Sequence, residues 1–227
     1  MSSQTINGFV LPEPSRATRL ISRKSRGSCR GTAVLYLGSH RQIVVYESLL
    51  ELMCILLIIS RGDVIDVWDQ PPAIHFSRPD GSHHEHTPDY LVELADGTRF
   101  AVAVKPIEQV NRRDFDIELS YVAACMPQSY ADGLVLMSEA DFTRAQALNA
   151  QRYHEFNKTP DALADQALAA VIDQQNEPTT LELLVEQVGL AGRGFRAAFR
   201  AIIEGRLRQV AHGKIGLQTL VTAEGTA

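Results

Sequence analysis

The sequence is poor in cysteine and has no long apolar run, and both absences narrow the kinds of protein it encodes. The three cysteines, Cys29, Cys54 and Cys125, are far apart, and no two of them form a CxxC pair. Such an odd, scattered set predicts neither a disulfide framework nor a zinc knuckle, and it suits a reducing cytoplasm. The longest apolar run, residues 52–59, is far shorter than the roughly 20 residues of a membrane helix, so we expect no membrane association.

The chain as a whole carries a net negative charge, but its N-terminal part is basic. The formal net charge is −5, yet residues 1–46 contain seven Lys or Arg against one Glu. Residues 1–31 also lack periodicity, which is typical both of an arm that touches nucleic-acid phosphates and of a disordered, solubilising terminus. In the first case the residues that touch DNA would be Arg19, Arg23, Lys24 and Arg26.

An apolar helix that carries two acids begins the central part of the chain. Residues 47–60 are apolar on nearly every side, which predicts a largely buried helix. Glu47 and Glu51 lie one helical turn apart and therefore share a face. Because an unpaired buried charge is costly, two carboxylates on such a helix indicate a specific role.

Hydrophobic patterns over residues 32–157 predict an α/β domain. After the apolar helix come three β-like runs, and the pairs Asp80-Gly81 and Asp96-Gly97 mark hairpin turns. A helix over residues 107–127, a strand over 133–137 and a helix from 141 to about 156 follow. This order of elements is typical of a mixed sheet flanked by helices: a helix, three antiparallel strands, a helix, a strand and a helix.

The C-terminal quarter predicts a second, smaller domain. Residues 158–177 are alanine-rich and indicate a helical linker, and residues 178–227 contain two helices followed by two short strands. This order is typical of a winged helix-turn-helix. One face of its second helix is basic, which favours a DNA recognition helix, although a solvated face and a protein-docking surface stay open as alternatives. The basic residues on that face are Arg193, Arg196 and Arg200.

Asp89 and Lys105 are spaced so that they meet across a hairpin. Asp89 stands at the head of one strand and Lys105 at the end of its partner, so antiparallel pairing brings a carboxylate and an ammonium group together. Phosphodiester hydrolysis uses a divalent cation and a group that orients the attacking water. Mg²⁺ prefers a few carboxylates and retains several waters, and Glu51 or Glu47 would supply the second carboxylate. We therefore expect a Mg²⁺ site, with Mn²⁺ able to substitute.

Four segments together resemble the TnsA-type endonucleases, the PD-(D/E)xK cleavage subunits of heteromeric transposases. They are ESLLE at 47–51, DQPPAIHF at 69–76, HTPDYLVELADG at 86–97 and FAVAVKP at 100–106. The tail, residues 178–227, is similar to the winged-helix domain of that family. The resemblance implies a restriction-endonuclease-like mixed sheet flanked by helices, followed by a C-terminal winged helix.

The resemblance also implies a role for each catalytic residue. Glu51 and Asp89 would bind the metal ion together with the backbone carbonyl of Val104, and Lys105 would lie beside the attacking water. The position two residues before the lysine, usually Glu or Asp and in some TnsA proteins Gln, is Ala103 here. One ligand position therefore lacks its donor. The auxiliary candidates are Glu47, Gln70 and His86.

The resemblance implies cleavage of double-stranded DNA at transposon 5′ ends, with a transposase subunit and a regulatory ATPase as partners. Two alternatives stay open: a weakened or inactive subunit for DNA binding or assembly, which Ala103 favours, and a solitary restriction-like nuclease. The segment His83-His84-Glu85-His86 offers a zinc site, but without cysteines or an HExxH spacing it favours a polar loop tip.

Overall fold

The computed structural model describes residues 5–6, 9–19, 29–37 and 40–224 of the chain. The chain divides into two units, Met1–Thr143 and Arg144–Ala227. Helices and sheets of both parallel and antiparallel pairing occur, so the predicted α/β class is confirmed. The boundary lies before the helix that begins at Arg144, which the sequence pattern had assigned to the first domain.

A four-stranded mixed sheet forms the centre of the first unit. Its strand order is β10 (Gly133–Met137), β9 (Arg99–Val104), β8 (Tyr90–Leu94) and β5 (Val64–Asp69). Strand β8 is antiparallel to both β5 and β9, and β10 joins β9 in parallel, which confirms the predicted mixed sheet. Gly97 adopts φ 85° in the β8–β9 turn, a left-handed conformation that glycine permits without a steric cost.

Helix α1 (Leu49–Ile59) packs against strand β9 and against β4 (His40–Tyr46). Its sequence is almost wholly apolar, so burial in the protein stabilises it more than helix propensity does. Ser48 is the N-cap, and its side-chain oxygen accepts a hydrogen bond from the backbone N–H of Glu51. Strand β4 forms an antiparallel hairpin with β3 (Gly31–Leu37), and this hairpin packs beside β5.

A second hairpin, β6 (Ile74–Ser77) and β7 (His83–His86), forms a separate two-stranded sheet. The interpretation of residues 83–86 as a loop tip was therefore wrong. Residues 64–77, predicted as a strand with an interruption at the two prolines, form two strands, β5 and β6, which belong to different sheets. The chain leaves β5 at Gln70, which has φ 43°, and the two prolines that follow cannot donate to a sheet ladder.

Two helices, α2 (Ile107–Arg113) and α3 (Phe115–Cys125), replace the single helix expected over residues 107–127. They are separated at Asp114, whose φ of 48° ends the first helix in the left-handed conformation. Helix α3 packs on β6, where an apolar cluster closes one face of the central sheet. The cluster contains Ile74, Phe76, Ala103, Val110, Phe115, Leu119 and Val122.

The described part of the basic N-terminus lies against the first unit. After the short hairpin β1 (Thr5–Ile6) and β2 (Phe9–Val10), Glu13 donates its N–H to Arg41 and accepts from the N–H of Ile43. The fully buried Asp69 then accepts hydrogen bonds from the Ser15 hydroxyl and from backbone N–H groups. Residues 13–19 are thus part of this unit and not a projecting arm.

Over its described residues, 144–224, the second unit contains four helices and a small antiparallel sheet. The helices are α4 (Arg144–Asn157), α5 (Ala162–Ile172), α6 (Leu181–Val188) and α7 (Gly192–Ile203). The strands β11 (Thr179–Thr180), β12 (Leu207–Gln209) and β13 (Leu220–Ala223) pair in the order β11-β13-β12. Helix α5, which the sequence suggested as part of a linker, contributes Ala164, Leu168 and Ile172 to the buried core of this unit.

None of the helices in the described residues combines the length and the apolar character that crossing a membrane requires.

We expect Asp69→Ala to lower the free energy of unfolding by about 3 kcal/mol, because it removes the fully buried acceptor of the part-buried N–H groups of Arg16 and Val45. The matched control is Asp66→Ala, which removes a partly exposed ion pair with Arg16 and should cost less than about 1 kcal/mol. Chemical denaturation of both variants measures the difference. Equal losses would contradict the role assigned to Asp69.

Candidate active site

Strand register fixes the position of Asp89 just before β8. Its N–H donates to the carbonyl of Val102 at 2.8 Å, and its carbonyl accepts from the N–H of Gln70 at 2.9 Å. Because Tyr90 pairs with Val102, Asp89 lies opposite Ala103 one position further along. The Asp89 carboxylate accepts the N–H of Val104 at 2.6 Å. The backbone therefore holds this side chain at the edge of the sheet where β9 ends.

Asp89 is half-buried, and burial together with the nearby Glu51 carboxylate raises its pKa from 3.8 to about 7. The Val104 N–H and the positive charges of Lys105 and Arg19 lower that pKa, but they do not offset the first two effects. In the protein alone, Asp89 thus resists ionisation near neutral pH. A cation at this position would relieve the repulsion between the two carboxylates.

Glu51 owes its orientation to the start of helix α1. One carboxylate oxygen accepts the N–H of Glu47 at 2.7 Å, and the other accepts the hydroxyl of Ser48 at 2.9 Å. This pattern is a variant of the capping box, in which the glutamate at the third helical position accepts the N–H of the residue before the N-cap in place of the N-cap's own. Glu51 is buried, and desolvation raises its pKa. The cap explains how a buried carboxylate is tolerated on an apolar helix, and it leaves further lone pairs on each oxygen.

Lys105 follows β9, and its N–H donates to the carbonyl of Met137 on the parallel neighbour β10. Its Nζ lies 5.0 Å from the centre of the Phe115 ring, a cation–π contact that steadies the long side chain. The ammonium group lowers the pKa of Asp89 and also that of His86, so it acts electrostatically on both. Glu51, Asp89 and Lys105 therefore lie in one electrostatic neighbourhood.

Ala103 contributes no donor to this neighbourhood. It is buried and packs in the apolar cluster with Phe115 and Val110, directly across from Asp89. A carboxylate at this place would face the Asp89 carboxylate across two adjacent strands. The methyl group leaves the site with one carboxylate from the sheet and one from the helix.

The donors present fit a hydrated Mg²⁺ better than an ion enclosed by protein ligands. Among the described residues, no group of three or more His, Cys, Asp or Glu side chains is arranged to hold a metal ion. Zinc sites need three or four such side chains, whereas Mg²⁺ keeps most of its waters and is often bound through one or two carboxylates. Glu51 and Asp89 are such a pair, and the Val104 peptide lies beside them.

The histidine segment does not form a zinc site with its neighbours. His83 and His84 contact the hydroxyls of Ser77 and Ser82 at 3.0 and 2.8 Å. His86 lies closer to the candidate site, with its ring centre 5.8 Å from that of Phe115. Burial is the largest of the effects that lower the pKa of His86, followed by the charge of Lys105, so its imidazole favours the neutral form.

Arg19 and Glu47 form an ion pair at 2.6 Å next to the two carboxylates. Arg19 lowers the pKa of both Glu51 and Asp89, which puts the end of the N-terminal segment beside the site. Glu47 is therefore paired with an arginine and is less available as a metal ligand. The proximity of Arg19 was not predictable, because no local pattern connects residues 28 positions apart.

Glu139 is a candidate that sequence reasoning missed. It follows β10 and accepts hydrogen bonds from the N–H of Ile107. Burial is the main cause that raises the pKa of the Cys54 thiol to about 12, and the nearby carboxylates of Asp89, Asp141, Glu51 and Glu139 raise it further. The Glu139 carboxylate thus belongs to the acidic surroundings of the site. The sequence did contain a signal for Glu139, because residues that follow the carboxyl ends of neighbouring parallel strands lie at the same edge of a sheet.

The arginines assigned to DNA recognition in the second unit bind partners within that unit. Arg193 pairs with Asp161 at 2.7 Å, and Arg196 lies over the ring of Phe156. Arg200 is buried and forms an ion pair with Asp165, so its assignment to a DNA-contacting face was wrong. The spacing of the three arginines could not reveal these contacts, because the partner carboxylates, Asp161 and Asp165, lie at the start of α5, more than thirty residues earlier in the chain. Arg23, Lys24 and Arg26 lie outside the described residues.

We expect Asp89→Asn to stabilise the metal-free protein increasingly as pH rises. The folded-state pKa of about 7 exceeds the ordinary 3.8, so the folded state binds the proton more tightly and the wild type loses stability between about pH 4 and pH 7. The amide of the variant stays neutral throughout. Between pH 5 and pH 8 the advantage of the variant should grow by roughly 2–3 kcal/mol. Denaturant unfolding in EDTA measures it, and an advantage independent of pH would contradict the raised pKa.

No family model matches the chain, and no curated protein matches it. The likeness to TnsA-type endonucleases therefore rests on four short segments of sequence. What the site can do follows from its chemistry: two crowded carboxylates, an adjacent ammonium group and an arginine converge where β9 ends and β8 begins.

Proposed function

We propose that this protein is a Mg²⁺-dependent DNA endonuclease in which Glu51 and Asp89 bind the metal ion and Lys105 assists the attacking water. The proposal is carried by the convergence of these groups: the Asp89 carboxylate, held by the Val104 N–H where β9 ends, has the Glu51 carboxylate and the Lys105 ammonium close enough to shift its pKa. Carboxylates crowded in this way are common where a cation belongs, because structural carboxylates are usually separated or paired with bases.

Each residue has a distinct task in this proposal. Bound Mg²⁺ would polarise the phosphoryl oxygen and lower the pKa of a water. Asp89 and Glu51 are oriented by backbone donors, so they hold the ion without reorganising. The ammonium of Lys105, fixed over Phe115, would orient the water or stabilise charge that develops on the phosphate. When DNA binds, Arg19 would leave its ion pair with Glu47 and pair with a DNA phosphate instead.

A restriction-endonuclease-like core and a winged helix are the folds we propose for the two units. The order α1, β5, β8, β9, α3, β10, with β10 parallel to β9, supports the first assignment. The order α5, β11, α6, α7, β12, β13 with a three-stranded antiparallel sheet supports the second. In the second unit the exposed Arg193 and Arg196 remain candidates for DNA contact. The alternative is that this surface binds a protein partner.

The biological setting we propose is transposition, with cleavage at transposon 5′ ends. Support comes from the likeness of four segments, 47–51, 69–76, 86–97 and 100–106, to TnsA-type endonucleases. In that setting the protein would act on double-stranded DNA together with a transposase subunit and a regulatory ATPase. A solitary restriction-like nuclease would use the same site without those partners.

A second candidate function, a non-catalytic DNA-binding or assembly subunit, is favoured by two observations. Ala103 provides no metal donor, and the capping box gives Glu51 a structural role that does not need a metal ion. Binding of Mn²⁺ separates the two functions, because an inactive subunit of this kind has no reason to retain a cation between Glu51 and Asp89.

We expect Asp89→Ala and Lys105→Ala each to reduce nicking of supercoiled plasmid in Mg²⁺ or Mn²⁺ by at least about a hundredfold, because each removes a group that acts on the reacting phosphate. Asp96→Asn is the matched control, since this exposed carboxylate only caps the β8–β9 turn through the N–H of Thr98. Nicking by Asp89→Ala at the wild-type rate would rule out the assignment.

We expect Arg19→Ala to weaken DNA binding and to reduce the slope of log affinity against log salt concentration by about one, because one phosphate contact is lost. Arg61→Ala is the control, since Arg61 makes a comparable exposed ion pair with Asp63. Deleting residues 1–31 is a poorer test, as it also removes the partners of the buried Asp69. Fluorescence anisotropy over a salt series gives the slopes, and identical slopes for wild type and Arg19→Ala would exclude the contact.

A further inference from the structure

Gln70 is a buried side chain whose polar atoms have nothing to bind in the described part of the chain. It is only 1% exposed, and neither its amide oxygen nor its amide nitrogen has a hydrogen-bond partner there. A buried amide without partners costs about 1–3 kcal/mol, so such groups are rare unless they serve a ligand. Among the described residues Gln42 shares this property, and Gln70 is the one of the two that lies beside the candidate active site.

The backbone of Gln70 is fixed beside the candidate active site. Its N–H donates to the carbonyl of Asp89 at 2.9 Å, and its own carbonyl accepts from the N–H and the hydroxyl of Thr18. These bonds hold Gln70 at φ 43°, a conformation that non-glycine residues rarely adopt and that often occurs at functional sites. The position is thus both strained and clamped from two sides.

Backbone hydrogen bonds put Gln70, just after β5, beside Asp89, just before β8, and Asp89 beside the end of β9, where Ala103 lies. Asp69 pairs with Tyr90, Tyr90 pairs with Val102, and these three residues are the next ones beyond those pairs. The buried amide of Gln70 therefore belongs to a residue whose backbone adjoins that of Asp89, on the side away from Ala103.

We propose that the Gln70 amide oxygen is a third ligand of the divalent cation held by Glu51 and Asp89. This inference rests on the proposed metal site and extends it to a residue outside the two carboxylates. Amide oxygens are hard, neutral ligands that Mg²⁺ and Mn²⁺ accept alongside carboxylates and water. Ligation would give the orphaned oxygen a partner, and the amide nitrogen would then donate to a metal-bound water or a phosphate oxygen.

Gln42 provides a matched control within the same unit. It is also 1% exposed, and both of its amide atoms also lack a partner in the described residues. It lies on β4 opposite Leu35 and beside Glu13, none of which belongs to the candidate site. Any general effect of removing a buried amide from this unit should appear equally at Gln42.

The test measures Mn²⁺ affinity by electron paramagnetic resonance for the full-length wild type, Gln70→Leu, Gln42→Leu and Asp89→Asn. Gln70→Leu should weaken Mn²⁺ binding at least about tenfold, whereas Gln42→Leu should leave it within about twofold. Metal-free thermal unfolding accompanies each titration. Replacing an unpartnered amide by an apolar side chain of similar size should not lower the unfolding temperature.

Wild-type affinity in Gln70→Leu, with binding lost in Asp89→Asn, would overturn the role of Gln70 and leave the proposed nuclease site intact. Absence of Mn²⁺ binding by the wild type would overturn both proposals. Gln70→Glu keeps the test decisive should the leucine variant not fold, because it retains the oxygen and adds charge. It should bind Mn²⁺ at least as tightly as the wild type, and weaker binding by a folded Gln70→Glu protein would contradict ligation.

Discussion

Repulsion between two carboxylates in a poorly hydrated place is the constraint on which the site depends. Burial and Glu51 together raise the pKa of Asp89 to about 7, and only part of that effect is offset by the Val104 N–H, Lys105 and Arg19. A protein without a use for this crowding would separate the acids or pair each with a base. Incomplete compensation leaves a position that favours a cation, and Mg²⁺ is the ion whose coordination habits suit so few protein ligands.

Ordinary elements of secondary structure orient the side chains of the site. The capping box of α1 orients Glu51, the ladder between β8 and β9 fixes Asp89, and the contact with Phe115 steadies Lys105. Because the same hydrogen bonds stabilise the fold and position the carboxylates, the site is preorganised at little additional cost. The N-terminal segment joins this arrangement through Asp69, which holds residues 15 and 16 and so brings Arg19 to the site.

Local patterns predicted much of the first unit, and long-range contacts explain what they missed. The apolar helix, the Asp96-Gly97 turn and the mixed sheet follow from periodicity and turn chemistry, whereas the roles of Glu51, Asp89 and Lys105 stay predictions. Local sequence could not show that Asp69 binds residues more than fifty positions earlier, or that Arg200 is buried against Asp165. An arginine at helical spacing has the same pattern whether it faces solvent or a carboxylate. The position of Gln70 depends likewise on segments distant in sequence, because its backbone is hydrogen-bonded to Asp89 and to Thr18.

A crystal of the protein grown with Mn²⁺ tests the central claim most directly, because anomalous scattering locates the ion without assumptions about activity. The account predicts one anomalous peak within coordination distance of carboxylate oxygens from both Glu51 and Asp89, despite the methyl group of Ala103. The account would be contradicted if, at saturating Mn²⁺, no anomalous peak lay between the two carboxylates and both kept their ordinary hydrogen bonds.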